Sequence, residues 1–252
     1  MCGVVIQFAR RLFRAVLPRL KHPLLDRTPG RYPEDDDNAR RYRAAIGETT
    51  DPFVLARYEE GTRWREVVRH YVSGSVRVLD VGGGNGAIEL AMSPFAFAVS
   101  VETLWNPIAR ELGVRRVIAR AEAMPFREES FDALLLLDTI EHFHDVAPIS
   151  AEMARVARHD AVLLVTTPPR LRWLLRPDPH FAIRGLLLLP SSLQRRIVER
   201  RGYRGSDHFV DRIYWSIPQL SRRLREFEVK EVLSRGRGPK RWVWDAVVFR
   251  RR

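Results

Sequence analysis

The sequence is poor in cysteine, in lysine and in long apolar runs. Its 252 residues include one cysteine, Cys2, which excludes a disulfide framework and argues against a structural zinc site, an iron–sulfur cluster or a cysteine nucleophile. No apolar stretch reaches the roughly 20 residues that a membrane-spanning helix needs. Nearly all of the positive charge is arginine, because the sequence contains only three lysines. A chain of this length can bury the core of one α/β domain with additions.

The net charge of +12 is distributed unevenly. Residues 1–32 carry about +6 and residues 170–252 about +13, whereas residues 50–169 carry about −5. Basic flanks favour an anionic partner such as phospholipid, a nucleotide-linked substrate or RNA, although the arginine bias of a GC-rich genome explains them equally well. Residues 1–25 place apolar residues at helical spacing with arginines between them. They are predicted to form an interfacial helix for peripheral membrane contact, an amphipathic helix that packs on a cytoplasmic domain, or a disordered arm.

The chain divides into a basic arm and linker, residues 1–50, and one domain, residues 51–252. A helix is predicted over residues 52–71, and strands then alternate with helices up to residue 167. Continuously apolar strands in such alternation indicate a parallel sheet with helices on both faces. Residues 170–215 interrupt this pattern and are predicted to be an insertion that caps the ligand edge of the sheet. Two further strands at the C-terminus are predicted to form an antiparallel hairpin.

The stretch "VLDVGGGNG", residues 78–86, places four glycines between a buried strand and the start of a helix. Ligands of open α/β sheets bind at this edge, at the carboxyl ends of the strands. Gly82, Gly84 and Ala87 fit the dinucleotide pattern G-x-G-x-x-A, which taken alone is weak evidence for a nicotinamide cofactor. Asp80 gives instead the pattern D-x-G-x-G-x-G, and a carboxylate there suits a cationic ligand group better than a phosphate.

With the segments "VSVE" and "ARAEAMPFREESFDALLLLDTIEHF", which follow in order, the chain resembles the class I S-adenosylmethionine-dependent methyltransferases. Within that family it is most similar to the type 11 and ubiquinone/menaquinone methyltransferase group. The resemblance covers residues 77–167. It implies S-adenosylmethionine (SAM) as cofactor and a Rossmann-like, doubly wound, mostly parallel seven-stranded sheet that ends in the antiparallel hairpin.

The resemblance also assigns the cofactor site. The acid and glycines of the loop face the amino-acid end of SAM, the acid ending "VSVE" accepts from the ribose hydroxyls, and the "AEAMPF" segment lies beside adenine. The cofactor-binding residues so predicted are Asp80, Gly82, Gly84, Gly86, Glu102, Ala121, Glu122, Met124 and Asp138.

One position departs from the family pattern. Arg120 stands where the family usually has an aspartate that accepts from the adenine amino group, and arginine has no acceptor. Either Glu122 or a backbone carbonyl accepts instead, or adenine is held mainly by apolar contact with Ala121 and Met124, or cofactor binding is weakened or lost.

Methyl transfer to an oxygen usually needs a base in addition to alignment of the reactants. His142 is the first candidate because imidazole titrates near neutrality, followed by Glu141. The alternative for both residues is that they orient the next helix. His180, in "RPDPHF" of the predicted cap, is a further catalytic candidate, with a loop stiffened by prolines as its alternative. No metal site is predicted.

The predicted function is methyl transfer to a small-molecule, lipid or glycan-precursor acceptor, anionic if the arginines of the cap bind it. Three alternatives stay open at this point: a catalytically silent methyltransferase-like scaffold, an RNA methyltransferase and an NAD(P)-dependent oxidoreductase. The sequence lacks the N/D-P-P-Y/F motif of amino-directed nucleic-acid methyltransferases. It also lacks the Tyr-x-x-x-Lys pair of short-chain oxidoreductases.

Overall fold

The structure, a computed structural model, describes residues 52–167, 183–201, 216–234 and 244–252, together with Pro177, Phe181 and Tyr214. The predicted arm, residues 1–50, and part of the predicted insertion, residues 170–215, lie outside the described residues.

The described residues form a single seven-stranded sheet flanked by helices. The helices are α1 (Pro52–Tyr71), α2 (Ala87–Met92), α3 (Pro107–Glu111), α4 (Ala147–Val156), α5 (Ser191–Arg200) and α6 (Ile217–Ser221). The strands are β1 (Val76–Val81), β2 (Ala96–Glu102), β3 (Arg116–Ile118), β4 (Phe131–Leu137), β5 (Ala157–Thr166), β6 (Phe227–Leu233) and β7 (Ala246–Arg251). Short 3-10 turns span Ile140–His142 and Leu186–Leu188.

The strand order is β3-β2-β1-β4-β5-β7-β6. Strands β1 to β5 pair in parallel, whereas β7 pairs antiparallel with both β5 and β6. This arrangement confirms the predicted Rossmann-like sheet and its C-terminal antiparallel strands. It brings the carboxyl ends of β1, β2 and β4 to one edge, because β1 lies between β2 and β4.

The core lies on both faces of the sheet, as the apolar run of β4 predicts. Leu134 and Leu136 pack on one face in a cluster that includes Met153 of α4, and Leu135 packs on the opposite face in a cluster that includes Trp64 of α1. These three leucines are fully buried. Each fully buried leucine side chain contributes about 1.5–3 kcal/mol to folding, so β4 is the central strand energetically as well as in position.

Helix α1 packs closely against α2 and thereby reaches the ligand edge of the sheet. At Gly61 an added Cβ would stand 2.7 Å from the Cβ of Ala91, a distance that a larger residue cannot accept. Trp64 and Val67 bury the inward face of α1 against the sheet. The turn of α1 that precedes them carries Arg57, whose guanidinium reaches the end of β4.

Two element boundaries differ from the sequence prediction. The apolar run "AVLLVTT" predicts a strand from Ala161, but β5 begins at Ala157, directly after α4, where it pairs with Phe131 before an irregularity in register. The segment "SIPQLSRRLREF", residues 216–227, predicts a helix with a serine cap, but α6 ends at Ser221. It stops there because β6 starts at Phe227 and the connecting turns bury Leu224. Ser216 occupies the N-cap position of α6, as predicted, but its side chain makes no capping hydrogen bond.

The described part of the predicted insertion has a small apolar cluster of its own. Phe181, Leu186 and Val198 are buried there, with Ile183 and Ile197 packed against them. None of the helices in the described part of the chain has the length and apolar content needed to cross a membrane.

Candidate active site

The loop that follows β1 depends on three glycines with positive φ, +86° at Gly82, +57° at Gly84 and +86° at Gly86. An added Cβ at Gly82 would lie 2.5 Å from the Thr139 side chain, and one at Gly86 would lie 2.6 Å from that of Val114. A Cβ at Gly84 would meet no atom within 4 Å. Packing therefore requires the outer two glycines, whereas the middle one presents bare backbone to open space.

Glu102, at the end of β2, holds this loop in place. Its Oε1 accepts a hydrogen bond from the Gly84 N–H at 2.6 Å, and hydrogen bonds to a carboxylate are stronger than those between neutral groups. A carboxylate has more acceptor sites than this single bond uses. Glu102 can therefore accept from a ligand hydroxyl next to the exposed backbone of Gly84.

Asp80 lies beneath the loop and is almost fully buried. Burial raises its pKa well above the ordinary range, the nearby Glu89 raises it further, and the charge of Arg57 opposes both. Its Oδ1 has no hydrogen-bond partner. Such a carboxyl group is costly to ionise alone, and an ammonium or N–H donor of a ligand would offset that cost.

A second buried acid, Glu89 of α2, supports the loop from below. Its carboxylate forms an ion pair with Arg116 of β3 at 3.5 Å, and both side chains are at most 2% exposed. The Arg116 Nε also donates to the Ser100 hydroxyl at 3.1 Å. Because an added Cβ at Gly83 would lie 2.2 Å from Glu89 Oε1, this ion pair touches the loop backbone directly.

The predicted adenine segment follows β3 and is joined to β2, since the Ala119 N–H donates to the Glu102 carbonyl at 2.9 Å. Ala121 is buried, and Met124 is 3% exposed with its side chain in the core. Arg120 is largely exposed, and its guanidinium lies 3.0 Å from the Glu122 carboxylate. Glu122, one of the predicted substitutes for the missing aspartate, is thus paired with Arg120, which occupies the position of that aspartate.

Asp138, directly after β4, is held from several directions in a left-handed conformation with φ +53°. Its N–H donates to the Thr166 carbonyl and its Oδ1 accepts from the Thr166 hydroxyl, both at 3.0 Å. Its Oδ2 lies 3.5 Å from the Arg57 guanidinium, which also donates to Glu60 at 2.7 Å. The side chain is 45% exposed, and desolvation by the surrounding protein, followed by the charge of Glu60, raises its pKa.

Glu141 and His142 follow in the 3-10 turn. Glu141 is 1% exposed, and neither carboxyl oxygen has a hydrogen-bond partner. Burial, followed by the charge of Asp138, raises its pKa to about 8. His142 is half-buried beside it, and its charge favours the ionised form of Asp138. The structure thus brings Asp138, Glu141 and His142 together at one strand end.

Sequence reasoning missed Arg57, Glu60, Thr139 and Thr166. Arg57 and Glu60 precede the buried Trp64, whose indole N–H donates to Glu60 at 3.0 Å. Positions 57, 60 and 64 share one face of a helix. A possible ion pair on the same face as the buried Trp64 was therefore the sequence signal that could have identified Arg57 and Glu60. His180, the remaining catalytic candidate, lies outside the described residues. Within the described residues, no three His, Cys, Asp or Glu side chains converge as a metal-binding group.

The residues present fit SAM. The cofactor carries an ammonium group, a sulfonium group and a ribose diol, and no phosphate. The site offers the unpartnered Oδ1 of Asp80, the open backbone at Gly84 and the acceptor capacity of Glu102. Each of these suits one of those groups, and the carboxyl groups at the loop would repel the phosphates of a dinucleotide.

Comparisons with known proteins agree with this assignment. Residues 79–165 match the family model described as "Methyltransferase domain". The uncharacterized methyltransferase YcgJ of Bacillus subtilis is 36% identical over 100 residues, which are 35% of this chain. The match spans 39% of the length of that relative.

Two solved structures share the fold. The PH0226 protein of Pyrococcus horikoshii has a TM-score of 0.56 at 17% identity, over 74% of this chain and 86% of that one. The 1,6-didemethyltoxoflavin-N1-methyltransferase of Burkholderia thailandensis, with its substrate and S-adenosylhomocysteine bound, has a TM-score of 0.50 at 16% identity. That similarity covers 93% of this chain and 99% of the Burkholderia chain. Residues 79–165, at the centre of the chain, are thus similar to the methyltransferase domain that the family model describes, and the chain is similar over 100 residues to the Bacillus subtilis methyltransferase.

Proposed function

We propose that the protein transfers a methyl group from SAM to a small-molecule acceptor that carries an O–H or N–H group. The observation that carries this proposal is the juxtaposition of two clusters on neighbouring strands. The open glycine loop with Asp80 and Glu102 follows β1 and β2, and Asp138, Glu141 and His142 follow β4. The first cluster suits a sulfonium cofactor and the second suits a nucleophile that must lose a proton.

In this proposal the loop backbone at Gly82, Gly84 and Gly86 holds the amino-acid part of the cofactor, and Asp80 accepts from its ammonium group. Glu102 accepts from the ribose hydroxyls. The bound cofactor supplies an electrophilic methyl group. At the adenine edge the Ala121 amide and Glu122 are the candidate polar contacts, and Met124 supports the segment from the core.

Asp138 faces the methyl-transfer end of the cofactor. Glu141 or His142 takes the proton from the acceptor. A base works best when its pKa lies near the working pH, and the pKa of Glu141 is raised to about 8. His180, in the predicted insertion, remains a catalytic candidate. A lipid or a glycan precursor as acceptor is proposed from the sequence alone. The same holds for membrane contact through residues 1–25.

Methyl transfer can be tested with the full-length chain, methyl-labelled SAM and fractions of a small-molecule extract. We expect label to appear in at least one organic-soluble or polar product, and Glu141→Gln together with His142→Gln to abolish the transfer. Label that appears in no fraction, although SAM binds, would contradict the proposed reaction.

A second candidate function is a catalytically silent scaffold, favoured by the ion pair of Arg120 with Glu122. An exposed arginine at the adenine edge would then prevent normal cofactor binding. The variant Arg120→Asp distinguishes the two functions. A scaffold predicts that wild-type protein does not bind SAM and that the variant gains binding, whereas the proposed enzyme binds SAM without the substitution.

A further inference from the structure

Helix α1 lies outside residues 79–165, which match the family model, yet it places a cation at the acceptor end of the site. Arg57 Nη1 lies 2.7 Å from Glu60 Oε2 and 3.5 Å from Asp138 Oδ2. Its side chain is 19% exposed. The contact with Asp138 spans 81 positions of the sequence, so folding of the sheet and of α1 is needed to form it.

We propose that Arg57 is a positioning residue that keeps the Asp138 carboxylate charged and in one orientation at the methyl-transfer end of the site. The proposal rests on the proposed function, because it concerns the same site. Thr166 fixes Oδ1 of Asp138 through its hydroxyl, and Arg57 faces the other oxygen, Oδ2. The two contacts together leave the carboxylate little rotational freedom.

The charges around Asp138 show why a cation is needed there. Burial and the carboxylate of Glu60 raise the pKa of Asp138, whereas Arg57, Thr166 and His142 lower it. Glu141, in the turn after β4, interacts with Asp138 as a like charge, and Asp80 lies within electrostatic reach of Arg57. Loss of Arg57 would remove the guanidinium that faces Asp138 Oδ2 and would therefore favour protonation of Asp138.

Arg57 itself is held in its charged form. Burial works against its charge, but the carboxylates of Glu60, Asp138 and Asp80 outweigh burial and raise its pKa. Glu60 is in turn fixed by the indole of Trp64. The cation is thus oriented by its own helix, and the helix is anchored in the core.

The test compares Arg57→Met and Arg57→Lys with wild type, with Arg69→Met as the matched control. Arg69 lies on the same helix, is 48% exposed and pairs with Glu66. Binding of S-adenosylhomocysteine is measured by calorimetry between pH 6 and 9. Because loss of a nearby cation favours the protonated carboxyl group, Arg57→Met should bind more weakly than wild type, by roughly tenfold at the acidic end of this range, and should recover as the pH rises. Arg57→Lys should restore most of the affinity, and Arg69→Met should match wild type.

A loss of affinity in Arg57→Met that is equal at all pH values and not restored by lysine would overturn the proposal, as would no loss at all. A second measurement, the free energy of unfolding, needs no cofactor. The difference between wild type and Arg57→Met should grow as the pH rises above the ordinary range of a carboxyl group, because Asp138 then ionises in wild type beside its cation. A difference that does not change with pH would also overturn the proposal. Wild-type protein that binds neither SAM nor S-adenosylhomocysteine would instead contradict the proposed function, so the two failures are distinguishable.

Discussion

The loop after β1 and the acid cluster after β4 lie at one edge of the sheet but are built in different ways. The loop is fixed by its own backbone and by a contact 18 positions away, between Gly84 and Glu102. The acid cluster depends on α1, since Arg57 and Asp138 are 81 positions apart. The hydrogen bond that fixes the loop thus joins residues much closer in the sequence than the ion pair of the acid cluster does, although Gly82 also packs against Thr139 after β4.

Asp80 and Asp138 show the consequence. Asp80 is buried with an unpartnered oxygen, whereas Asp138 is nearly half exposed and is bonded on both oxygens. A buried carboxyl group that lacks a hydrogen-bond partner in the protein can obtain one from a bound ligand. An exposed one held by Arg57 and Thr166 is oriented before any ligand arrives. We therefore expect the loop half to bind the cofactor and Asp138 of the acid half to orient its methyl-transfer end.

The largest effect is expected for Gly84→Val, which directs a side chain into the open space above the loop. Affinity for S-adenosylhomocysteine should fall by more than about 100-fold, since small displacements of a bound reactant are costly, while the positive φ adds about 1–2 kcal/mol of strain. The control is Gly74→Val, at the other end of β1, where φ is +82° and a Cβ also meets nothing within 4 Å. Calorimetry with both variants distinguishes the effect of backbone strain, which both share, from obstruction of the cofactor by the valine side chain at position 84. An equal loss of affinity in the two variants would show that the loop is not part of the cofactor site.

Glu102→Gln should have the next largest effect. The amide can still accept from Gly84, but it cannot accept from a diol in addition as a carboxylate does. Affinity for S-adenosylhomocysteine should fall about tenfold or more, the usual cost of losing a hydrogen bond to a charged group. The exposed Glu111 of α3 provides the control, Glu111→Gln. Unchanged affinity in Glu102→Gln would place the ribose elsewhere.

Glu141→Gln tests the acid half through stability. Because the folded pKa of Glu141 is raised to about 8, the folded state retains a proton that the unfolded state releases near its ordinary pKa, and wild-type stability falls as the pH rises between these values. Glutamine does not ionise. The variant should therefore gain up to about 1 kcal/mol over wild type for each pH unit between 5 and 8.

Urea unfolding at several pH values measures this gain. The control is Glu228→Gln, an exposed position on β6, whose difference from wild type should not depend on pH. A Glu141→Gln curve that runs parallel to wild type would show that Glu141 is ionised and solvated in the folded state.

The smallest effect is expected for Met124→Leu. The side chain lies in the core, and a volume-conserving apolar exchange costs less than about 1.5 kcal/mol. Thermal unfolding should show this small loss, and the affinity for S-adenosylhomocysteine should stay within about twofold of wild type. A tenfold loss of affinity without loss of stability would instead make Met124 a cofactor contact.

The sheet was predicted correctly from the sequence, and the site residues of the loop half remain predictions. The apolar run of β4 indicated burial on both faces, and Leu134–Leu137 are buried there. Asp80 and the three glycines were predicted as site residues from the pattern of the loop, because a loop that approaches a ligand needs its residue types at fixed positions, and Glu102 was predicted from the family resemblance. The structure adds why Gly82 and Gly86 cannot be replaced, namely their contacts with Thr139 and Val114.

The acid half was predicted only in part. Asp138, Glu141 and His142 were found because they follow an apolar strand, but Arg57 was not, since its partner lies on a distant element. The ion pair of Glu89 with Arg116 was missed for the same reason. Side chains that meet through tertiary packing leave no fixed spacing in the sequence, and an acid or arginine on a buried helix face is the remaining sign of them.

Titration of the full-length wild-type chain with S-adenosylhomocysteine, with and without an excess of NAD, tests the central claim most directly. The account predicts one binding site per chain, with an affinity that NAD does not change and that Gly84→Val abolishes. No binding heat for S-adenosylhomocysteine or SAM, or displacement by NAD, would contradict it.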